Sequence, residues 1–136
     1  MSMPHPSSPE AWLARARTDL SLADGAFQLP GVAVEDICFH AQQSAEKALK
    51  ALLMALQVIY PRTHDLDLLL DLVKGAGLAV PTDVDEASIL TPYAVVTRYP
   101  YTIPLVTLGH ARRAVAVAEG VLAWVEQQLT GVGPGN

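Results

Sequence analysis

An all-α fold, an up-and-down bundle of four principal helices with an additional short or interrupted helix, is predicted by three features of the sequence. Apolar residues recur at steps of three and four over three long stretches, no stretch alternates at a period of two, and prolines and glycines divide the chain into segments joined by short connections. With 136 residues, 51% of them apolar, the chain is the size of one domain and can bury one substantial core.

The first helix is expected to begin at Ser8 and Pro9, an N-cap followed by proline at the first helical position, where its missing N–H costs nothing. Residues 1–7, with their prolines and small polar groups, are read as a flexible tail, residues 8–130 as the bundle, and the glycine-rich residues 131–136 as a second tail. Trp12, Ala16, Leu20, Ala23 and Phe27 form one stripe of the first helix, which should end near Pro30 and Gly31.

A longer helix is predicted from Val34 to about Ile59, with Cys38, Ala41, Ala45, Ala48, Leu52 and Leu56 as its seam, Leu49 and Leu53 widening it, and Pro61 as the stop. Thr63 is the expected cap of a third helix, with Asp65 and Asp67 in its first turn, a buried face of Leu66, Leu69, Leu70 and Val73, and Gly75 and Gly77 at its end. A further helical segment should start at Thr82 and Asp83 and run toward Arg98, bent or divided by Pro92. Beyond Pro100 and Pro104, the stripe Leu108, Ala111, Val115, Ala118, Leu122 and Val125 predicts a last long helix ended by Gly131.

Nine Lys and Arg against 14 Asp and Glu leave a net charge of -5, which argues against broad electrostatic binding to duplex DNA and confines any anion site to a local patch. Cys38 has no second cysteine to pair with, the start of the chain lacks the basic and apolar segments of a secretory signal, and no apolar run approaches the ~20 residues that span a bilayer. The expectation is a cytoplasmic protein without a membrane partner.

Three clusters carry candidate chemistry. His40, Gln43, Lys47 and Lys50 follow at helical steps and can form an anion-binding row, with Glu46 beside Lys50. The plainer alternative is the solvated side of an amphipathic helix, where an exposed Glu46–Lys50 pair contributes only ~0.3–0.5 kcal/mol.

Tyr93, Arg98, Tyr99 and Tyr101 form the second cluster: a guanidinium can grip phosphate and a tyrosine face can stack on a base. Alternatively, Tyr99 and Pro100 make a rigid turn and Arg98 caps helix carbonyls. The third is His64, beside Arg62 and Asp65, which at a helix's first turn can act as acid or base or simply hydrogen-bond a neighbouring connection.

No metal site and no cofactor is expected, because the four histidines are scattered at 5, 40, 64 and 110 and no glycine-rich phosphate loop occurs.

Taken together, Phe39-His40-Ala41-Gln42-Gln43-Ser44-Ala45-Glu46-Lys47-Ala48-Leu49-Lys50-Ala51-Leu52-Leu53, Thr63-His64-Asp65-Leu66, and Tyr93 followed by Thr97-Arg98-Tyr99-Pro100 resemble the HEPN domain family in order and separation, over about residues 10 to 128. The resemblance implies a helical bundle, often a homodimer, frequently encoded beside a small nucleotidyltransferase with which such proteins form toxin-antitoxin-like pairs. It also implies Gln43, Lys47, Lys50, His64, Tyr93, Arg98 and Tyr99 as ligand-binding residues around one shared cleft.

The closely spaced arginine and histidine of HEPN ribonucleases is missing here, since the next histidine after Arg98 is His110, beyond two prolines. The resulting expectation is a nucleotide- or single-stranded-RNA-binding subunit of such a pair. The alternatives are a divergent metal-independent ribonuclease with Arg98 and His64 as catalytic residues, and a structural dimerisation module.

Overall fold

The computed structural model describes residues 6–94 and 106–131, and within them every regular element is helical. Ser8 is extended and its hydroxyl accepts the Ala11 amide at 3.1 Å, so α1 (Pro9–Ala26) starts at the expected cap-and-proline pair. Pro6, just before it, is already buried. α1 stops before Pro30, and a turn closed by Gln28 and Leu29 amides carries the chain to Gly31 at φ 80°. Trp12, Ala16 and Ala23 are buried, with Leu20 and Phe27 packed partly against the same core.

α2 (Val34–Ala55) is the central helix and packs against α1, α3, the 3-10 segment and α5. The seam from Cys38 to Leu52 is buried together with Leu49 and Leu53, while Leu56 is only partly buried. The helix ends earlier than Ile59, and Pro61 does not stop it. Val58 N–H bonds the Leu53 carbonyl at 2.9 Å and Gln57 N–H bonds that of Met54 at 3.0 Å, a Schellman closure with Gln57 in the left-handed region at φ 60°.

α3 (Leu66–Gly75) is capped by Asp65 rather than Thr63: the Asp65 carboxylate accepts the Asp67 and Leu68 amides. Thr63 accepts the Asp65 amide instead, so Asp65 is the cap and not a first-turn residue. A carboxylate satisfies two orphan donors and the macrodipole at once, which a hydroxyl two residues earlier cannot. Leu66, Leu69, Leu70 and Val73 are buried as predicted, and Gly77 at φ 97° closes the helix.

The expected segment from Thr82 is a single α turn, α4 (Thr82–Asp85), followed by a 3-10 helix over Glu86–Ala94 that contains Pro92. The proline leaves no amide for a continuous α ladder, and the tighter coil absorbs it. α5 (Leu108–Gly131) buries Ala111, Val115, Ala118, Leu122 and Val125 against α2, but Leu108 is half exposed because it sits at the helix start, outside the bundle.

Candidate functional site

The polar side of α2 is not a solvated face. Cys38, Gln42, Glu46 and Lys50 recur at steps of four, form one stripe about 18 Å long, and are all buried. This stripe, and not the row His40, Gln43, Lys47 and Lys50, is the line along which candidate chemistry gathers.

At its centre is the Glu46 carboxylate. Lys50 Nζ donates to Glu46 Oε2 at 2.9 Å, Gln42 Nε2 donates to Oε1 at 3.0 Å, and His64 Nδ1 lies 2.8 Å from the same Oε1. The two charges are 4% and 8% exposed, so they form a buried ion pair rather than an exposed one. A buried carboxylate without partners is prohibitively costly, and here both of its oxygens are occupied.

His64 is held twice, through Nδ1 on Glu46 and through its carbonyl, which accepts Gln42 Nε2 at 3.3 Å. An ionised carboxylate can only accept, so Nδ1 carries the hydrogen, and in the neutral form of the ring Nε2 is an acceptor. The side chain is 66% exposed, and it precedes the α3 cap instead of standing in the first turn. The residue therefore combines a fixed ring with open access.

Lys47 and His40 face the other way. Lys47 Nζ donates to Asp19 Oδ2 at 2.6 Å, His40 Nδ1 lies 2.9 Å from Asp19 Oδ1, and Ser44 Oγ donates to the Ala16 carbonyl at 2.8 Å. Together they pin α2 to α1. Gln43 donates to Gln42 Oε1 at 2.7 Å and so positions a residue of the stripe.

Tyr93 meets the same stripe one end away, at Cys38, two helical turns from Glu46. Burial pushes the Cys38 thiol up to about 11, the nearby Glu35 charge adds to this, and the Tyr93 hydrogen bond opposes it. Burial raises the Tyr93 hydroxyl as well, reinforced by Cys38. The structure thus places Tyr93, His64 and Lys50 along one line and sets Lys47 apart. Arg98, Tyr99 and Tyr101 lie outside the described residues.

Beyond Lys50 the stripe opens into a groove of about 510 Å³ between the end of α2 and residues 57–62, walled by Met54, Val58, Ile59 and Tyr60 with Arg62 at its rim. Lys50 Nζ stands 5.5 Å from the Trp12 ring centroid, a cation–π distance. Burial raises the Tyr60 hydroxyl, and the neighbouring Trp12 indole offsets part of that.

Gln42, Glu46 and the groove were not among the site residues expected from sequence. The signal for the first two was present as the step of four through Cys38 and Lys50; the groove depends on the left-handed turn at Gln57, which no local pattern announces. Among the described residues, no group of three or more His, Cys, Asp or Glu can hold a metal ion, and no helix is long and apolar enough to cross a membrane.

The HEPN domain profile matches residues 9–128. The chain is similar to TT1696 from Thermus thermophilus, at 34% identity and TM-score 0.73, over 88% of this chain and 96% of that one. It is also similar to ST0689, an archaeal HEPN homologue, at 29% identity and TM-score 0.68, over 90% of this chain and 98% of that one. No curated protein matches it by sequence.

Proposed function

Because the chain belongs to the HEPN domain family, we propose that it is a nucleotide- or single-stranded-RNA-binding subunit that pairs with a small nucleotidyltransferase in a toxin-antitoxin-like system. The observation that supports this reading is the buried Gln42–Glu46–Lys50 stripe ending at the exposed, doubly anchored His64. A buried ion pair is a poor device for stability alone, since well-packed apolar residues do as well or better. Its use here is to hold a cation and an imidazole in fixed positions.

In this reading Lys50 and Arg98 contact phosphate, Tyr93 or Tyr99 contacts a base, His64 hydrogen-bonds the ligand, Gln43 acts by positioning Gln42, and Lys47 ties α2 to α1. The functional unit is a homodimer, and the partner nucleotidyltransferase supplies the chemistry. The test is calorimetric titration of nucleotides and short RNA into the purified protein, alone and co-expressed with a nucleotidyltransferase. Arg98→Ala is expected to weaken binding by ~1.5–3 kcal/mol, the range of a charge-assisted hydrogen bond, and Arg98→Lys to recover only part of it. Unchanged affinity with a lowered melting temperature returns Arg98 to a capping role.

The Glu46–His64 contact favours a second reading, a metal-independent ribonuclease. There His64 Nε2 takes the proton of a ribose 2′-hydroxyl as that oxygen attacks phosphorus, and the 5′-oxygen leaves with a solvent proton. Cleavage of RNA by the purified protein, abolished by His64→Ala at unchanged melting temperature, selects this reading over the first.

A further inference from the structure

We propose that the groove beyond Lys50 is a binding site for a compact phosphomonoester, with Lys50 and Arg62 holding the phosphate and the Val58–Tyr60 wall covering its organic body. The inference rests on the nucleotide-binding reading and gives it a location. It places the ligand at the end of α2 and gives the base contact to the Tyr60 wall in place of Tyr93.

The argument begins with charge. The chain carries a net charge of -5, yet the groove is lined by two cations, Arg62 and the Glu46-paired Lys50, and by no carboxylate. Arg62 and Arg112 are exposed and make no ion pair among the described residues, whereas Arg17, Lys47, Lys74 and Arg113 are each matched to an acid. Of the two, Arg62 is the one that lines the groove.

Lys50 supplies a different kind of cation. It is 7% exposed, and its ammonium is fixed by Glu46 on one side and the Trp12 ring on another. An ammonium has three donors, of which the described contacts use one, so a donor remains for the groove that Lys50 lines. The result is a pre-positioned donor that loses no side-chain freedom on binding, opposite an exposed guanidinium whose fork suits phosphate oxygens.

Size and wall chemistry narrow the ligand. A volume of about 510 Å³ lies within the roughly 300–1,000 Å³ typical of small-molecule sites. It exceeds what inorganic phosphate fills, and the apolar side chains of Met54, Val58 and Ile59 with the Tyr60 ring need an organic surface to cover them. Ile59 is 93% exposed, which leaves a large apolar side chain at the mouth with nothing against it. A phosphate on a planar or partly apolar body, such as a nucleoside monophosphate, satisfies both ends.

The test is titration of AMP, adenosine, ribose 5-phosphate, inorganic phosphate and a 5′-phosphorylated RNA trimer into the full chain, read by calorimetry and by backbone amide shifts. AMP is expected to bind about 10-fold or more tightly than adenosine, shifting the amides of residues 57–62, and Arg62→Ala to weaken AMP by about 10- to 100-fold, with Arg62→Lys recovering part. Arg113→Ala, outside the groove, is expected to leave AMP affinity unchanged. Tighter binding of the RNA trimer than AMP, with the same Arg62 dependence, supports the site and assigns its phosphate to an RNA end. Equal affinity for AMP and adenosine, or AMP binding indifferent to Arg62→Ala, overturns the groove. Absence of AMP binding with RNA binding retained overturns the groove alone; absence of both overturns the nucleotide-binding reading as well.

Discussion

Lys50 Nζ and Glu46 Oε2 meet at 2.9 Å one turn apart on α2, and both side chains are almost completely removed from water. A pair at this spacing is ordinarily a surface contact of small value; burial changes its energetics entirely. Removing either partner leaves an uncompensated buried charge. Glu46→Ala is therefore expected to destabilise the protein by about 3–5 kcal/mol, whereas Glu46→Leu combined with Lys50→Met recovers most of the loss. Urea unfolding of the single and double variants checks this, and a loss below ~1 kcal/mol for Glu46→Ala would show the pair to be solvated.

Leu52 is 1% exposed on the most crowded element of the bundle. Leu52→Ala should cost ~2–5 kcal/mol, from lost transfer energy and the cavity left between α2 and its neighbours. Thermal unfolding reads the effect, and a change within ~0.5 kcal/mol contradicts the packing described.

Asp19 joins α1 to α2 through Lys47 and His40. Asp19→Ala leaves Lys47 partly buried without an acceptor and is expected to lower stability by ~1–3 kcal/mol without affecting nucleotide affinity per folded molecule. A selective loss of affinity instead would return Lys47 to the ligand site.

Cys38 gives a pH dependence with a definite sign. Its thiol is 0% exposed and is raised from an ordinary 9.0 to about 11 in the folded protein. Below pH 9 it is protonated in both states and contributes no pH dependence; between pH 9.0 and about 11 only the unfolded chain ionises it, so stability falls as pH rises through that window. Comparing wild type with Cys38→Ala in urea from pH 8 to 11 isolates the effect, roughly 2–3 kcal/mol at its limit. Identical pH slopes would show that the thiol is not shielded.

Gln57 holds φ 60° at the position where helices usually place glycine. The left-handed conformation costs a side-chain-bearing residue ~1–2 kcal/mol, and glycine gives back part of that in chain entropy. Gln57→Gly is expected to stabilise the protein by ~0.5–1 kcal/mol in thermal unfolding; destabilisation would mean that the Gln57 side chain itself secures the turn.

Much of the architecture was legible in the chain because burial and helix geometry share a period. Trp12 with Ala16 and Ala23, the seam from Cys38 to Leu52, and the stripe from Ala111 to Val125 are each apolar at steps of three and four, and each is buried. The cap at Ser8 and the left-handed closure at Gly77 were equally local, since side-chain acceptors and missing Cβ atoms act over a few residues. Tertiary context moved the boundaries. Asp65 displaced Thr63 as cap, Gln57 ended α2 before Pro61, and Leu108 stayed at the surface.

What the sequence determined by itself is the set of helices, their buried faces and the residue types held in reserve on α2. What only the tertiary structure decided is where those polar residues point. His40, Gln43, Lys47 and Lys50 look equivalent on a helical wheel, yet a buried charge goes to whichever opposite charge the packing brings near it. Asp19, 28 residues before Lys47, takes Lys47 and His40, while Glu46 takes Lys50 and reaches 18 residues forward to His64. Glu46–Lys50 lies within α2 and follows its period, but the other pairings join α2 to α1 and to the segment before α3, so the period of one helix cannot encode them. In a low-dielectric interior they nonetheless decide which cations are tied within the fold and which remain to meet a ligand.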